Sequence, residues 1–354
     1  MVLQKLTRNV LGVASAAFDR AVTLAVQRAT AERLPRRDER KEERTQLLEE
    51  MVLRYADTTR ELFHPAPVAI QPTVKREASI VKGLGTLDLT WTSFCEPYLP
   101  EVAARYRRTI ENSVAATRLF SRDVPRPVVV ILHGYMSGSL SFEQRVWPIS
   151  WFDRRGLDVA LFVLPFHGRR ADPRRRGAPE FPGRDPRFAN EGFRQAVFDL
   201  RGLVGYLRAS GHPAVGLLGM SLGGYTAALT ATLEPALDFV IPMIPLASLS
   251  DFAREQGVLS ASPEVAAREQ ALLDQVHRLV SPLAAPSLVP PERVLVIGAR
   301  ADRITPISHA KRLANHFGAP LFTWEGGHLL QFGRRDAFRR IADLLVELGY
   351  MKPR

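Results

Sequence analysis

Short apolar runs alternate with longer amphipathic stretches from residue 127 onward. The clearest runs lie at 127–132, 214–218, 293–297 and 319–324, and each is dominated by aliphatic or aromatic side chains. Short continuous apolar runs are typical of strands that a parallel sheet buries on both faces. The alternation therefore predicts an α/β fold with a mostly parallel sheet and helices on both faces.

Two stretches depart from this alternation. Residues 1–30 place apolar side chains at helical spacing, and residues 34–50 are charge-rich, which predicts a helix and then a linker that enters a second helix over 55–63. Between residues 247 and 290 the strand pattern pauses, and helical patterns at about 250–255 and 263–280 precede a proline-rich loop.

The first helix does not fit a secretory signal or a membrane span. Asp19 and Arg20 interrupt its apolar stretch, no small-residue cleavage site follows, and the apolar run is well short of the ~20 residues that a span needs. We therefore expect a cytoplasmic protein. Two interpretations of the helix are open: it packs on the core, or it lies on a membrane surface as a peripheral anchor.

The basic charge raises the question of an anionic partner. The 354 residues carry a formal net charge of +11, and seven arginines fall in the loop 169–187. This loop lacks the interleaved aromatic side chains of a single-strand stacking surface, so we expect no nucleic-acid partner. We interpret it as a solvated, mobile loop on the active-site side, with anion recognition as the alternative.

Motif content excludes several enzyme classes. The single cysteine, Cys95, cannot form an intramolecular disulfide or hold a metal cluster. The chain has no HExxH, CxxC, Walker A or GxGxxG pattern, which argues against a zinc protease, a kinase and a dinucleotide-dependent enzyme. We expect no cofactor.

The strongest chemical motif is GMSLG at 219–223, between the apolar run 214–218 and a small-residue helical stretch at 225–233. It matches the GxSxG nucleophile elbow, in which a serine on a sharp strand-to-helix turn keeps its hydroxyl clear of the backbone. Only glycines tolerate such crowding on either side. Ser221 is therefore the candidate nucleophile.

An acid and a histidine follow in the order that this elbow requires. Asp302 lies on the loop after the run 293–297, and His328 follows the run 319–324 in the sequence EGGH. Open parallel sheets place functional groups at the carboxyl ends of their strands. Asp251, after an earlier apolar run, is an alternative acid. Taken alone, Asp302 also fits a turn residue or a helix cap, and His328 an ordinary loop histidine.

A second loop supplies the expected oxyanion site. The run 127–132 ends in HGYMSG at 133–138, and an HG turn after such a strand is where one oxyanion donor is found. The backbone N–H groups of Tyr135 and Leu222 are the predicted oxyanion hole, and such a donor contributes roughly 3 to 4 kcal/mol in enzymes that have one. A plain glycine-rich turn is the alternative.

Four motifs together resemble the α/β hydrolase superfamily over residues 127–349. They are HGY at 133–135, GMSLGG at 219–224, ARADRITP at 299–306 and EGGH at 325–328. The resemblance implies Ser221 as nucleophile, His328 as general base and then acid, and Asp302 as the residue that orients the imidazole.

The resemblance also implies a domain organisation. A catalytic domain at 76–354, with a lid inserted at about 247–290, follows an N-terminal helical extension and linker at 1–75. Apolar lid side chains such as Leu273 and Val276 either line an acyl pocket or pack the lid on the core. One departure is Pro165, where members often carry an acidic residue, and it affects a loop and not the triad.

These expectations describe a serine hydrolase that cleaves a small-molecule carboxylic ester with an apolar acyl part, by acyl transfer to Ser221 and then to water. Activity is expected to fall as the pH drops through about 6 to 7, because a protonated imidazole cannot act as a base. The alternatives are a peptidase, amidase or thioesterase with the same triad, and a non-catalytic binding protein on the same fold.

Overall fold

The computed structural model describes residues 13, 15–20 and 39–353, and in this part of the chain nine strands form one sheet. The strands are β1 Thr73–Arg76, β2 Gly85–Thr92, β3 Val114–Ser121, β4 Val128–Leu132, β5 Asp158–Phe162, β6 Val215–Met220, β7 Phe239–Met243, β8 Val296–Ala299 and β9 Leu321–Trp324. The observed β4, β6 and β9 confirm three predicted strands, and β8 begins three residues later than predicted.

The strands are ordered β1-β2-β3-β5-β4-β6-β7-β8-β9 across the sheet. The pairs β1–β2, β2–β3 and β3–β5 are antiparallel, whereas the pairs β5–β4, β4–β6, β6–β7, β7–β8 and β8–β9 are parallel. This mostly parallel sheet confirms the predicted fold class. β4 lies between β5 and β6, so the strand order reverses at β4. Open sheets place their sites at the carboxyl ends of the strands beside such a reversal, which here are β4 and β6.

Helices cover both faces of the sheet. They are α1 Glu39–Tyr55, α2 Arg60–Phe63, α3 Pro100–Tyr106, α4 Leu140–Val146, α5 Ile149–Arg154, α6 Pro186–Ala209, α7 Leu222–Ala231, α8 Leu249–Glu255, α9 Pro263–His277, α10 Ile307–Phe317 and α11 Arg334–Glu347. Side chains of α1, α3, α6, α7, α9 and α10 pack on one face of the sheet, and those of α5 and α11 pack on the other.

The central strand β4 shows why its sequence is apolar throughout. Val128, Val130 and Leu132 belong to the core under α6 and α7, whereas Val129 and Ile131 face the core under α5 and α11. Successive side chains of a strand point to opposite faces. A strand buried on both faces therefore needs apolar residues at every position, and all five are buried here.

The prediction of a linker over 34–50 is wrong from residue 39 onward, where α1 begins. Leu48, Met51 and Tyr55 are buried at helical spacing and pack in the same core as Phe63 of α2. Charged residues hold most of the other positions, so the buried stripe is narrow and the composition resembles that of a linker.

The predicted second helix over 55–63 is reduced to α2, which Thr59 caps by accepting a hydrogen bond from the Leu62 N–H. The predicted domain boundary between residues 75 and 76 falls inside β1, which pairs with β2. Most of the predicted helix over 1–30 lies outside the described residues. The part of it that the structure describes, residues 13 and 15–20, is helical.

The arginine-rich loop is not solvated throughout, which corrects its interpretation from the sequence. The Arg174 side chain is 93% exposed, but the Arg170 side chain is fully buried and lies 2.8 Å from a carboxylate oxygen of Asp199. Phe181, in the same loop, is buried in the core. One arginine of this loop, Arg170, therefore belongs to the protein interior, although its sequence context resembles that of the exposed arginines.

The inserted region contains the two predicted helices, as α8 and α9. Leu273, Val276 and Leu279 are buried in the core under α6 and α7. Two interpretations of these side chains were open, lining of an acyl pocket and packing on the core, and the structure shows packing on the core. In the described ranges, no helix has both the length and the apolar character that crossing a membrane requires.

Candidate active site

Ser221 occupies a sharp turn between the end of β6 and the start of α7. Its φ of 57° and ψ of −114° lie in a region that non-glycine residues rarely adopt. The Ser221 N–H donates to the Met243 carbonyl at 3.0 Å, and the Ser221 carbonyl accepts from the Tyr225 N–H at 3.0 Å. Bonds on both sides thus hold the strained turn, as the elbow motif predicts.

The two glycines of the motif are required by close backbone contacts. A Cβ on Gly219 would lie 2.0 Å from the Gly223 carbonyl oxygen, and a Cβ on Gly223 would lie 2.3 Å from the Leu132 carbonyl oxygen. Any larger residue would push α7 away from β6 or from β4. The glycines therefore bring the first turn of α7 directly onto the sheet.

Asp302 and His328 form a direct pair on the loops that follow β8 and β9. Asp302 Oδ2 lies 2.8 Å from His328 Nδ1, and both residues are buried. Because a carboxylate only accepts hydrogen bonds, His328 donates from Nδ1, which leaves Nε2 free of its proton in the neutral ring. Asp302 Oδ1 accepts from the backbone N–H groups of Ile304 and Thr305, at 2.9 and 2.7 Å.

Thr305 is a further contact of this pair that sequence reasoning missed. Its Oγ1 lies 3.0 Å from Asp302 Oδ2 and 3.1 Å from His328 Nδ1. It also lies 3.1 Å from the carbonyl oxygen of Ile244, which follows β7. The hydroxyl therefore joins the acid, the imidazole and a neighbouring strand end, and its position three residues after Asp302 was the available signal.

The histidine loop is also linked to the elbow. Gln331 Nε2 donates to the His328 carbonyl at 3.0 Å and lies 3.2 Å from the sulfur of Met220, the residue before Ser221. Among the described residues, no hydrogen bond joins Ser221 Oγ to the His328 ring. The structure thus brings Asp302 and His328 into contact and places Ser221 beside their loop without a direct bond.

The HGY loop lies beside the nucleophile. A Cβ on Gly134 would lie 3.7 Å from the Ser221 Cβ. Leu222 is the first residue of α7, so its N–H is one of the groups that a helix leaves without an internal acceptor. Neither this N–H nor that of Tyr135 donates to an acceptor within the described ranges.

The alternative acid, Asp251, lies elsewhere. It belongs to α8, where its carboxylate pairs with Arg312 and Arg254 and accepts from Gln270 at 2.8 Å. None of these contacts involves His328. In the part of the chain that the structure describes, no group of three or more His, Cys, Asp or Glu side chains is placed to hold a metal ion.

A scan against protein-family models gives no match. Two uncharacterized proteins of Mycobacterium tuberculosis, from strains CDC 1551 / Oshkosh and H37Rv, are each 34% identical to this chain over 237 residues. The match covers 64% of this chain and 55% of the relative. The chain thus spans about half the length of the curated relatives it matches.

Several solved structures share the architecture. Acetyl xylan esterase 1 from Thermoanaerobacterium sp. has a TM-score of 0.54 and 18% identity, covering 85% of this chain and 93% of its own. Acetyl xylan esterase from Paenibacillus sp. R4 has a TM-score of 0.54 and 15% identity, covering 87% and 95%. A cold-adapted esterase from an Arctic intertidal metagenomic library has a TM-score of 0.50 and 15% identity, covering 80% and 100%. The chain has the α/β hydrolase fold.

Two buried histidines support the HGY loop of this α/β hydrolase fold. His133 Nδ1 donates to the Gly134 carbonyl at 2.8 Å, and its Nε2 accepts from the Leu164 N–H at 3.1 Å. His167 Nδ1 donates to the Pro165 carbonyl at 2.8 Å, and the two imidazole rings are 5.0 Å apart. Burial lowers the pKa of His133 to about 4 and that of His167 to about 3, so both rings are neutral at pH 7.

The lowered pKa values of His133 and His167 predict a loss of folding stability in mild acid. Each folded-state pKa lies below the unfolded value of about 6.5, so the stabilisation is present above that value and is lost as the pH falls towards the folded pKa. We expect the pair to add about 2.7 kcal/mol per pH unit to the slope of unfolding free energy against pH, near pH 5. Urea unfolding at several pH values measures this slope. His167→Gln should reduce the slope by about half of that amount, and an unchanged slope in this variant would contradict the assignment.

A carboxylate braces the far side of the same loop. The buried Glu143 accepts from the Gly138 N–H at 3.0 Å, from Trp147 Nε1 at 2.9 Å and from the Ser137 hydroxyl. Beside the loop is a small open cavity of about 180 Å³, whose lining includes Met136, Ser137, Phe166, His167, Arg175 and Pro179. The loop that carries the Tyr135 N–H is thus fixed from both sides, next to a space for a small group.

Proposed function

We propose that the protein is a serine hydrolase that cleaves a small-molecule carboxylic ester through an acyl-enzyme on Ser221. The observation that carries the proposal is the buried Asp302–His328 hydrogen bond. It leaves an unprotonated imidazole nitrogen on the loop after β9, at the end of the sheet where the strands terminate and where Ser221 also lies. A serine hydroxyl is a weak nucleophile and needs such a base. The strained turn at Ser221 supports the same role.

In the proposed reaction, Ser221 Oγ attacks the ester carbonyl carbon while His328 Nε2 takes the hydroxyl proton. The ester C–O bond then breaks, and the imidazolium returns this proton to the leaving alcohol. Water repeats the sequence on the acyl-enzyme: His328 takes its proton, the carboxylic acid leaves and Ser221 regains its hydrogen. The missing Ser221–His328 hydrogen bond forms in the substrate complex, since such bonds are often long in free enzymes.

The carbonyl oxygen becomes negative in each tetrahedral intermediate. The N–H groups of Tyr135 and Leu222 are proposed to bind it, because both lie beside Ser221 without an acceptor in the described chain. Such donors are fixed before the reaction and lose no energy in reorganising. Asp302 remains ionised and stabilises the imidazolium.

The substrate class rests on two further observations. The cavity beside the HGY loop is small and lined partly by Met136 and Phe166, and we propose that it takes a compact acyl group with apolar character. The esterase names of three structures with the same fold support an ester rather than an amide. The insertion that carries α8 and α9 is proposed as the lid of this site.

A fluorophosphonate probe tests the proposal, because it reacts with serines activated by a neighbouring base. We expect one phosphonyl adduct, located by peptide mass spectrometry on Ser221. Ser221→Ala should abolish labelling. Ser139→Ala, which removes an exposed serine near the HGY loop, should label like the wild type. An unlabelled wild-type protein would favour the non-catalytic alternative, and an adduct on another serine would refute the assignment of the nucleophile.

A further inference from the structure

The helical segment 15–20 buries two polar side chains and exposes an apolar one. Ser15 and Asp19 are completely buried, whereas the Phe18 residue is 45% exposed. Residues four apart lie on the same face of a helix, so the face turned to the protein carries a hydroxyl and a carboxylate. Burying a carboxylate is costly unless hydrogen bonds compensate it, so its partners explain this arrangement.

In the part of the chain that the structure describes, Asp19 accepts hydrogen bonds from backbone groups of the two loops that carry the proposed acid and base. Asp19 Oδ2 accepts from the His328 N–H at 2.7 Å and from the Arg303 N–H at 3.4 Å. Asp19 Oδ1 accepts from the Leu329 N–H at 3.0 Å. One carboxylate thus binds the backbone of His328 itself and of the residue after Asp302.

Two more contacts fix the same segment onto the histidine loop. Ser15 Oγ donates to the Leu330 carbonyl at 3.1 Å. A Cβ on Gly327 would lie 2.7 Å from Asp19 Oδ2 and 2.9 Å from the Ser15 Cβ. The second glycine of EGGH therefore lies where the segment 15–20 packs most closely, and a side chain there would displace Asp19.

We propose that Asp19 is a positioning residue of the active site, whose carboxylate holds the acid loop and the histidine loop in their working arrangement. The proposal rests on the proposed function for its catalytic consequence, but not for its structural part. Asp302 orients the imidazole ring, and Asp19 orients the backbone from which that ring projects. The segment 15–20 then belongs to the catalytic unit rather than to a separate extension.

The test uses the full chain with Asp19→Asn, which keeps the size of the side chain. An amide offers one oxygen and one NH₂, so at least one of the loop N–H groups then faces a donor. Gly327→Ala disturbs the contact of Asp19 from the histidine loop, because the added Cβ would lie 2.7 Å from Asp19 Oδ2. Phe18→Ala is the control on the exposed face of the segment. Ser15→Ala replaces Asp19→Asn as the probe if the asparagine variant fails to fold.

Amide hydrogen exchange measures the structural part. We expect exchange at the His328 and Leu329 amides to become at least about tenfold faster in Asp19→Asn and in Gly327→Ala, with the central strands still protected. Exchange at these amides should stay unchanged in Phe18→Ala. Unchanged exchange at these two amides would overturn the proposal. Equally accelerated exchange throughout the sheet would do the same, because it would show a general role in stability.

Hydrolysis of p-nitrophenyl acetate measures the catalytic part. A misplaced imidazole should lower kcat by about 10- to 100-fold with KM within about twofold of the wild type, since small displacements cost that much. A kcat that is unchanged per folded molecule would overturn the positioning role. If the wild type neither hydrolyses the ester nor reacts with a fluorophosphonate, the proposed function fails, and hydrogen exchange still decides whether Asp19 holds the loops.

Discussion

Replacing Asp302 with asparagine is expected to lower kcat by about 10⁴-fold with the fold intact. Oδ1 accepts two backbone N–H groups, from Ile304 and Thr305, so the amide oxygen of the asparagine must take that place. Its NH₂ group then faces His328 Nδ1 and donates to it. The ring proton moves to Nε2, and the imidazole can no longer accept the serine proton.

Steady-state kinetics with a p-nitrophenyl ester measures this loss, and circular dichroism checks the fold. Asp251→Asn is the matched control, since it changes the alternative acid in the same way and should keep activity within about twofold. Near-normal activity of Asp302→Asn, or a large loss in Asp251→Asn instead, would show that the acid has been wrongly assigned.

Asp199→Leu is expected to destabilise the protein by about 3 to 5 kcal/mol. Arg170 is completely buried, and its guanidinium donates to Asp199, to the Asn112 carbonyl and to the Val163 carbonyl. Without the carboxylate, a positive charge remains in the interior with no opposite charge beside it. Urea unfolding of the variant and the wild type at pH 7 measures the difference.

Removing both charges separates the ion pair from its surroundings. Arg170→Met combined with Asp199→Leu should recover at least about half of the lost stability, because no unpaired charge remains. Glu96→Ala breaks the exposed pair with Arg107 and should change the free energy of unfolding by less than about 1 kcal/mol. A double variant no more stable than Asp199→Leu would contradict this explanation.

The elements that the sequence predicted well share a local cause. The strand before Ser221 and the helix after it are recognisable because a buried strand, a glycine-flanked turn and a small-residue helix are consecutive in the chain. The loops of Asp302 and His328 follow apolar runs in the same way. The contact between these two residues is seen in the structure, and the role of Ser221 in one triad with them stays a prediction.

What the sequence did not reveal depends on contacts between distant segments. Asp19 is 309 positions from the backbone N–H it binds in His328, and nothing in its neighbourhood marks it as buried. Arg170 resembles the other arginines of its loop, and its burial is decided by Asp199 on α6. Charged residues whose partners lie elsewhere in the fold carry no local signal of burial.

The assembly of this site also bears on how the protein folds. Its residues come from the ends of β4, β6, β8 and β9, and β9 is the edge strand of the sheet, paired with β8. A chain in which β9 is not paired with β8 would hold a complete elbow, and the proposed base would not be fixed beside it. During refolding, the return of the proposed hydrolysis would therefore report the pairing of β9 with β8, whereas the helical signal would not.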